Sequence, residues 1–446
     1  MKKKVLLAIV LVVVLLGAGL GYAYFATDAL KSDKQLFFSY LLSDDFTKDL
    51  KDTNLEKYVE KQTNTAFENK GKITFEAPEQ GSALDGLTIL NSTTIDVEGK
   101  TNTAKKLAEQ KFTVELSQGI NIPIQYKRDG ETYGIQTKLL SDKFIAIKNE
   151  DLKTLADRFG MDTSNIPDNI TLSGLNFSDK EISKIKDKYS KVLYDNMTKD
   201  MFSKTKTKDQ TKVTMDVSAE QFINLIEKLA NALKEDKDLL NKLSAGTTVE
   251  DLKTQIDNFV DAIKETDTTD ADRVQIVLTI KSGELTECEI KTVTDNVAEI
   301  VAAIEKSDTK LVFYAYEDNE LVGQVSIEKF ANKDELSYIV GIKANSDGEE
   351  VANIQIEMAY KNLAKLDDVE ETITTDIVYS DSSSTSSSIA DEKTSISVIY
   401  NNVVTFDSSL NIDAFNSNNA IIINDATDKE LQDLFLNVYR NFSGIQ

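Results

Sequence analysis

A chain of 446 residues with 41% apolar and 28% charged side chains can bury a sizeable core and is too apolar for wholesale disorder. Its formal charge of −24 repels phosphate backbones, so nucleic acid is not an expected partner. With no histidine and one cysteine, imidazole catalysis, His-ligated metals and internal disulfides are excluded by composition. The absence of tryptophan weighs against sugar platforms built on indole rings.

Residues 1–27 begin MKKK and continue with an uncharged apolar run over 5–26. At 1.5 Å per residue such a helix spans about 33 Å, enough for the hydrocarbon core of a bilayer. The run is longer than the apolar region of a usual cleavable signal, and Tyr22, Tyr24 and Phe25 stand where an interfacial aromatic belt would lie. A retained transmembrane helix is therefore expected, with cleavage after Gly21-Tyr22-Ala23 as the alternative. Lys2, Lys3 and Lys4 orient the N-terminus to the cytoplasm. Either reading puts the rest outside: a single-pass protein of the cell membrane, or a secreted one. No cysteine follows the run to carry a lipid. Gly17 and Gly21 form a GxxxG pair, or simply a small-residue signal end.

Residues 28–70 read as a helical juxtamembrane segment: Leu36, Phe37, Tyr40 and Leu41 recur at helical spacing in KQLFFSYLL, and NLEKYVEK adds further turns. From 71 to 295 the pattern describes a sheet with helices. Phe112, Val114 and Leu116 alternate, as do Ile122, Ile124 and Tyr126, and Asp129-Gly130 marks a hairpin turn before Tyr133 and Ile135. A short helix, EDLKTLADRFG, closes at Gly160. Amphipathic helices follow in SDKEISKIKDKYSKVLYDNM, SAEQFINLIEKLANALKED and TTVEDLKTQIDNFVDAIKE, the first two with Ser178…Glu181 and Ser218…Gln221 capping boxes. A hairpin then turns at Ser282-Gly283.

Residues 296–446 read as an antiparallel meander with turns at Asp318-Asn319 and Asp347-Gly348. Leu336, Tyr338, Val340 and Ile342 share one face; Ile354, Ile356, Met358 and Tyr360 return on the partner strand. A Ser-rich stretch at 380–393 reads as a solvated hairpin loop, and a terminal helix opens with a Thr427…Glu430 capping box. One-sided alternation of this kind makes an antiparallel sheet whose dry face must be covered.

Cys288 reads as a small buried hydrophobe in ELTECEIKTV. GxxxxGK[ST], GxGxxG and GxSxG are absent, and the acidic stretches ETDTTDAD and SDGEE do not match a calcium loop. No catalytic, cofactor-binding or metal-ligating residue is expected, and no cofactor.

The succession DGETYGIQTKLLSDKFIAIKNEDLKTLADRFG, TKVTMDVSAEQFINLIEKLANAL, DRVQIVLTIKSGELTECEI resembles uncharacterised extracytoplasmic proteins of low-GC Gram-positive bacteria. More remotely it is similar to the LolA-like and LppX-like lipoprotein-carrier half-barrels. That resemblance implies an α+β fold in which a curved antiparallel sheet wraps helices covering its concave face. The expected function is a membrane-tethered, extracytoplasmic, non-catalytic binding or interaction protein, its partner an envelope protein or a hydrophobic ligand. The alternatives are a carrier or sensor of a lipid in a half-barrel cavity, and a hydrolase using carboxylates alone. Phe222, Leu229, Phe259, Tyr338, Val340 and Ile356 are expected to line the core or such a cavity.

Overall fold

The computed structural model describes residues 31–43, 45–77, 85–116, 119–150, 152–161, 179–243, 248–265, 268–269, 271–346, 348–380 and 393–443. The apolar run 5–26, Ser178 of the first expected capping box, Asp347 of one turn and nearly all of the Ser-rich stretch lie outside them. Among the described residues, no helix is long and apolar enough to cross a membrane.

In chain order the elements are helices α1 (Asp33–Leu41) and α2 (Thr53–Asn64), then strands β1 (Phe67–Glu76), β2 (Thr94–Asn102), β3 (Leu107–Leu116), β4 (Ile120–Asp129), β5 (Thr132–Thr137) and β6 (Ser141–Lys148). Helices α3 (Leu152–Arg158) and α4 (Asp179–Asn196) lead to β7 (Phe202–Lys206) and β8 (Thr211–Ser218). Helices α5 (Ala219–Lys234), α6 (Lys237–Leu243) and α7 (Val249–Lys264) follow. The strands resume as β9 (Arg273–Lys281), β10 (Glu284–Thr294), β11 (Val297–Lys306), β12 (Lys310–Glu317), β13 (Glu320–Ala331), β14 (Glu335–Ser346), β15 (Glu349–Lys361), β16 (Val369–Ser380), β17 (Lys393–Phe406) and β18 (Ala420–Ile422). Helix α8 (Asp428–Ser443) ends the series. The expected α+β class holds, on sheet that is antiparallel-rich.

The chain forms two compact units interleaved in sequence: residues 1–51, 171–328 and 342–350 make the first, and 52–170, 329–341 and 351–446 the second. In the first, β7 to β13 pair consecutively and antiparallel. The register puts Val213 opposite Leu278, Leu278 opposite Cys288 and Cys288 opposite Ile304, an apolar row across four strands. Helices α1, α4, α5 and α7 bury that face, and α5 supplies Phe222, Leu225, Ile226, Leu229 and Leu233 from one stripe. Burying each such side chain contributes roughly 1.5–3 kcal/mol.

Helix α1 sits deepest. Phe37 is 1% exposed, and its ring lies 5.2 Å from that of Phe202. Lys34 is also buried; its ammonium donates to the carbonyls of Tyr194 (2.6 Å) and Met197 (2.7 Å) at the end of α4, 3.8 Å from the Tyr194 ring centroid. A cation there satisfies carbonyls that the helix cannot, and it complements the helix dipole. Burial lowers the Lys34 pKa. Beyond α1, Asp45 accepts from the Leu285 amide (3.0 Å), and Lys48 pairs with Glu284 (2.7 Å).

In the second unit the pairing order is β15–β16–β17–β1–β2–β3–β4–β5–β6–β18. All pairs are antiparallel except β6 with β18, which run parallel. Strand β1 reaches across more than three hundred residues to β17, with Phe67 opposite Phe406. The turns follow their chemistry: Ser282-Gly283 and Asp318-Asn319 take positive φ at both positions. One turn differs by a residue from its sequence reading. Asp129 pairs with Thr132, so Gly130-Glu131 forms the loop and Gly130 takes φ +61° at its first position.

Cys288 is 2% exposed, and burial pushes its thiol up to about 12. The native protein is therefore expected to show no reaction with a disulfide reagent at pH 8 and one thiol after unfolding in guanidinium; rapid labelling of the folded chain would contradict this burial.

Candidate functional site

The strands of the two units are covered differently. In the first unit, the void between α1, α4, α5 and the sheet measures about 20 Å³ and is lined by Phe37, Phe38, Met215, Phe222, Leu229 and Ile276 among others. That is room for roughly one water and no ligand. Phe222 and Leu229 are core residues, and Phe259 packs against them half-buried.

In the second unit one register row reads Met358, Ile373, Tyr400, Ile73, Ile95, Val114, Ile122 across seven strands. All seven are only half-buried. Ile356 and Val398 lie two residues along the same face, also half-buried, and Ile120 and Ile377 there are exposed. The residues between them face the other way and are mostly polar: Lys72, Asp96, Thr113, Gln355, Glu357 and Thr374. These side chains form a continuous run of aliphatic and aromatic groups that is incompletely shielded from solvent.

One end of the face is closed by α2. The neighbouring row reads Tyr360, Glu371, Asn402, Gly71, Val97, Phe112, Ile124. Tyr58 of α2 packs there, 1% exposed, edge-on to Tyr360 and Phe406. Asp52 caps the helix by accepting from the Asn54 and Leu55 amides, which aims Tyr58 at the sheet. The Tyr58 hydroxyl donates to Glu371 Oε1 (2.7 Å), and Asn402 Nδ2 donates to Glu371 Oε2 (2.8 Å). Gln62 Nε2 donates to Tyr58 Oη (2.8 Å). Nearby, Gln110 Nε2 donates to Asn69 Oδ1 (3.2 Å) and Thr101 Oγ1 (3.1 Å).

Burial first, and then the Glu371 carboxylate, raise the pKa of Tyr58 and Tyr360, so both phenols stay neutral donors at physiological pH. Asn402 is 7% exposed, and its Oδ1 finds no hydrogen-bond partner among the described residues. It lies over Gly71, where an added Cβ would come within 2.7 Å of the Asn401 carbonyl oxygen and 3.1 Å of Asn402 Oδ1. Glycine is what admits this approach.

Of the remaining expected lining residues, Tyr338 is buried, and Val340 and Ile356 are half-buried, all in the second unit. Burial and then Asp52 push the Tyr338 hydroxyl up to about 12. The six residues thus divide three and three between the units. Sequence reading did not single out Tyr58, Glu371 or Asn402; a lone Asn and Glu at apolar-phase positions of two strands was the signal available.

A second exposed apolar feature lies in the same unit. Phe435, Leu436 and Tyr439 of α8 are exposed, Tyr439 by 73%, beside Phe159. Phe159 and Phe435 meet edge-on at 6.3 Å along a shallow cleft of about 390 Å³.

No metal-ligating cluster of acidic or cysteine side chains occurs among the described residues. No family model matches the chain, and neither does any curated protein. Solved structures align only loosely. A Salmonella typhi OmpF complex with daunomycin is 7% identical with a TM-score of 0.19, covering 77% of this chain and 98% of that one. A transferrin binding protein B mutant from Haemophilus parasuis is 6% identical with a TM-score of 0.12, covering 76% of each. An anion-selective porin from Comamonas acidovorans is 9% identical with a TM-score of 0.11, covering 77% and 98%. At such scores they carry no argument about this fold.

Replacing Tyr58 by Phe keeps the ring packing and removes a donor from the half-buried Glu371 carboxylate. It is expected to destabilise the protein by about 1–3 kcal/mol, read as a lower urea midpoint at unchanged slope; an unchanged midpoint would show that this bond contributes nothing net.

Proposed function

We propose that this chain is a membrane-tethered, extracytoplasmic binding protein rather than a catalyst, and that its working surface is the half-covered apolar face of the second unit. The observation that carries this is the Met358-to-Ile122 row, seven apolar or aromatic side chains of which none is buried. The occupant this surface favours is an elongated apolar ligand, such as an acyl chain, lying across the strands as in a half-barrel. Its polar end would lie toward the closed end beside α2, where Tyr58, Glu371 and Asn402 meet. The filled core of the first unit supports a division of labour, with that unit as scaffold. The membrane tether rests on residues 5–26, and the exterior placement on the lysines before them.

Native mass spectrometry of residues 27–446 purified from the source membrane is expected to show a co-purifying apolar adduct. An apo mass, together with no binding of a fluorescent acyl probe, would remove the ligand reading. Ile356→Lys places a charge at the β15 end of the face and is expected to weaken acyl-probe binding at least about tenfold, or ~1.4 kcal/mol, with the far-UV spectrum unchanged.

The exposed Phe435, Leu436 and Tyr439 favour a second reading, an envelope protein docking on α8. Cross-linking in intact cells from a photoreactive residue at 439 is expected to recover one consistent partner; diffuse, irreproducible products would remove it.

A further inference from the structure

In a chain with 75 acidic residues, β7 and the bend after it read FSKTKTKDQ. Lys204, Lys206 and Lys208 are exposed. Lys204 pairs with Asp33 at the start of α1 (3.3 Å); Lys206 and Lys208 have no carboxylate partner among the described residues. Asp209 is the one acid in the bend. Glu284, on the neighbouring β9–β10 hairpin, is already engaged by Lys48 (2.7 Å) and Lys306 (3.6 Å).

This basic hairpin adjoins the start of the exterior chain. Its tip borders an open cleft of about 340 Å³ shared with Leu36 and Tyr40 of α1 and the Ser282-Gly283 turn. Helix α1 begins at Asp33, seven residues after Ala26, the last residue of the apolar run. Seven extended residues reach at most about 25 Å. A charge on this hairpin is therefore tethered within reach of a membrane surface, whose attraction screening confines to roughly 8 Å.

We infer that the β7–β8 hairpin is a membrane-facing foot, its lysines resting on the anionic phospholipid headgroups of the leaflet from which the chain emerges. The inference rests on the membrane-tethered reading above. Attraction at this one end and repulsion of the acidic remainder together set the orientation of the first unit on the bilayer. Each lysine brought to an anionic surface raises occupancy of that orientation by roughly fivefold.

The test uses the full chain carrying Thr207→Cys, labelled with a donor fluorophore; buried Cys288 stays unlabelled in the folded protein. The chain is reconstituted into nanodiscs bearing an acceptor-labelled headgroup. Energy transfer is expected to be high in discs containing phosphatidylglycerol and lower in pure phosphatidylcholine. In the anionic discs it should fall in high salt and in K204E/K206E/K208E. Equal transfer in both lipids, from a chain that still co-floats with the discs, overturns this inference and leaves the tether standing. A chain that does not co-float overturns the tether and the inference with it.

Discussion

An antiparallel sheet built from alternating apolar and polar residues has one face that water cannot satisfy, and the architecture follows from how that face is covered. In the first unit the cover is internal: α1, α4, α5 and α7 set their apolar stripes on the row from Val213 to Ile304 until about 20 Å³ is left. The second unit carries an apolar face across seven strands, with α2 closing one end and the Met358-to-Ile122 row only half-buried. The apolar area beyond α2 is the asymmetry between the two units.

The closed end differs in kind from the open one. Glu371 sits among Tyr58, Asn402, Tyr360 and Tyr400, and its carboxylate is held by two donors from different elements. Hydrogen bonds of this sort fix directions, whereas Ile, Val and Phe contacts fix only volume. A stiff, directional terminus therefore stands beside an adaptable apolar expanse, the pairing on which the proposed ligand, with a polar end and a variable tail, depends. Gly71 belongs to that design because any side chain there would press on the Asn401 carbonyl.

Much of the local structure was legible in the sequence. The Ser218 and Thr427 capping boxes mark true helix starts, and the alternation of Leu336, Tyr338 and Val340 marks a true strand. The hairpin at Asp295-Asn296, with positive φ at both residues, went unread because VAEIVAAIEK is apolar on both faces and shows no period of two. The interleaving of the units was not legible, since β1 pairs with β17 over a separation that no local pattern encodes. Nor was the half-covered face: periodicity tells which side chains avoid water, not how many helices arrive to shield them. Phe222 and Ile356 look alike in sequence, yet one is sealed beneath helices and the other meets solvent.

The burial of α1 also has a mechanical side. Phe37 and Phe38 are wedged under α4 and α5, and Lys34 grips the last carbonyls of α4. Tension applied at the start of α1 is thus delivered straight into the hydrophobic centre of the first unit. A pull there would have to extract two phenyl rings and a desolvated ammonium together, making α1 a plug in the core of the first unit.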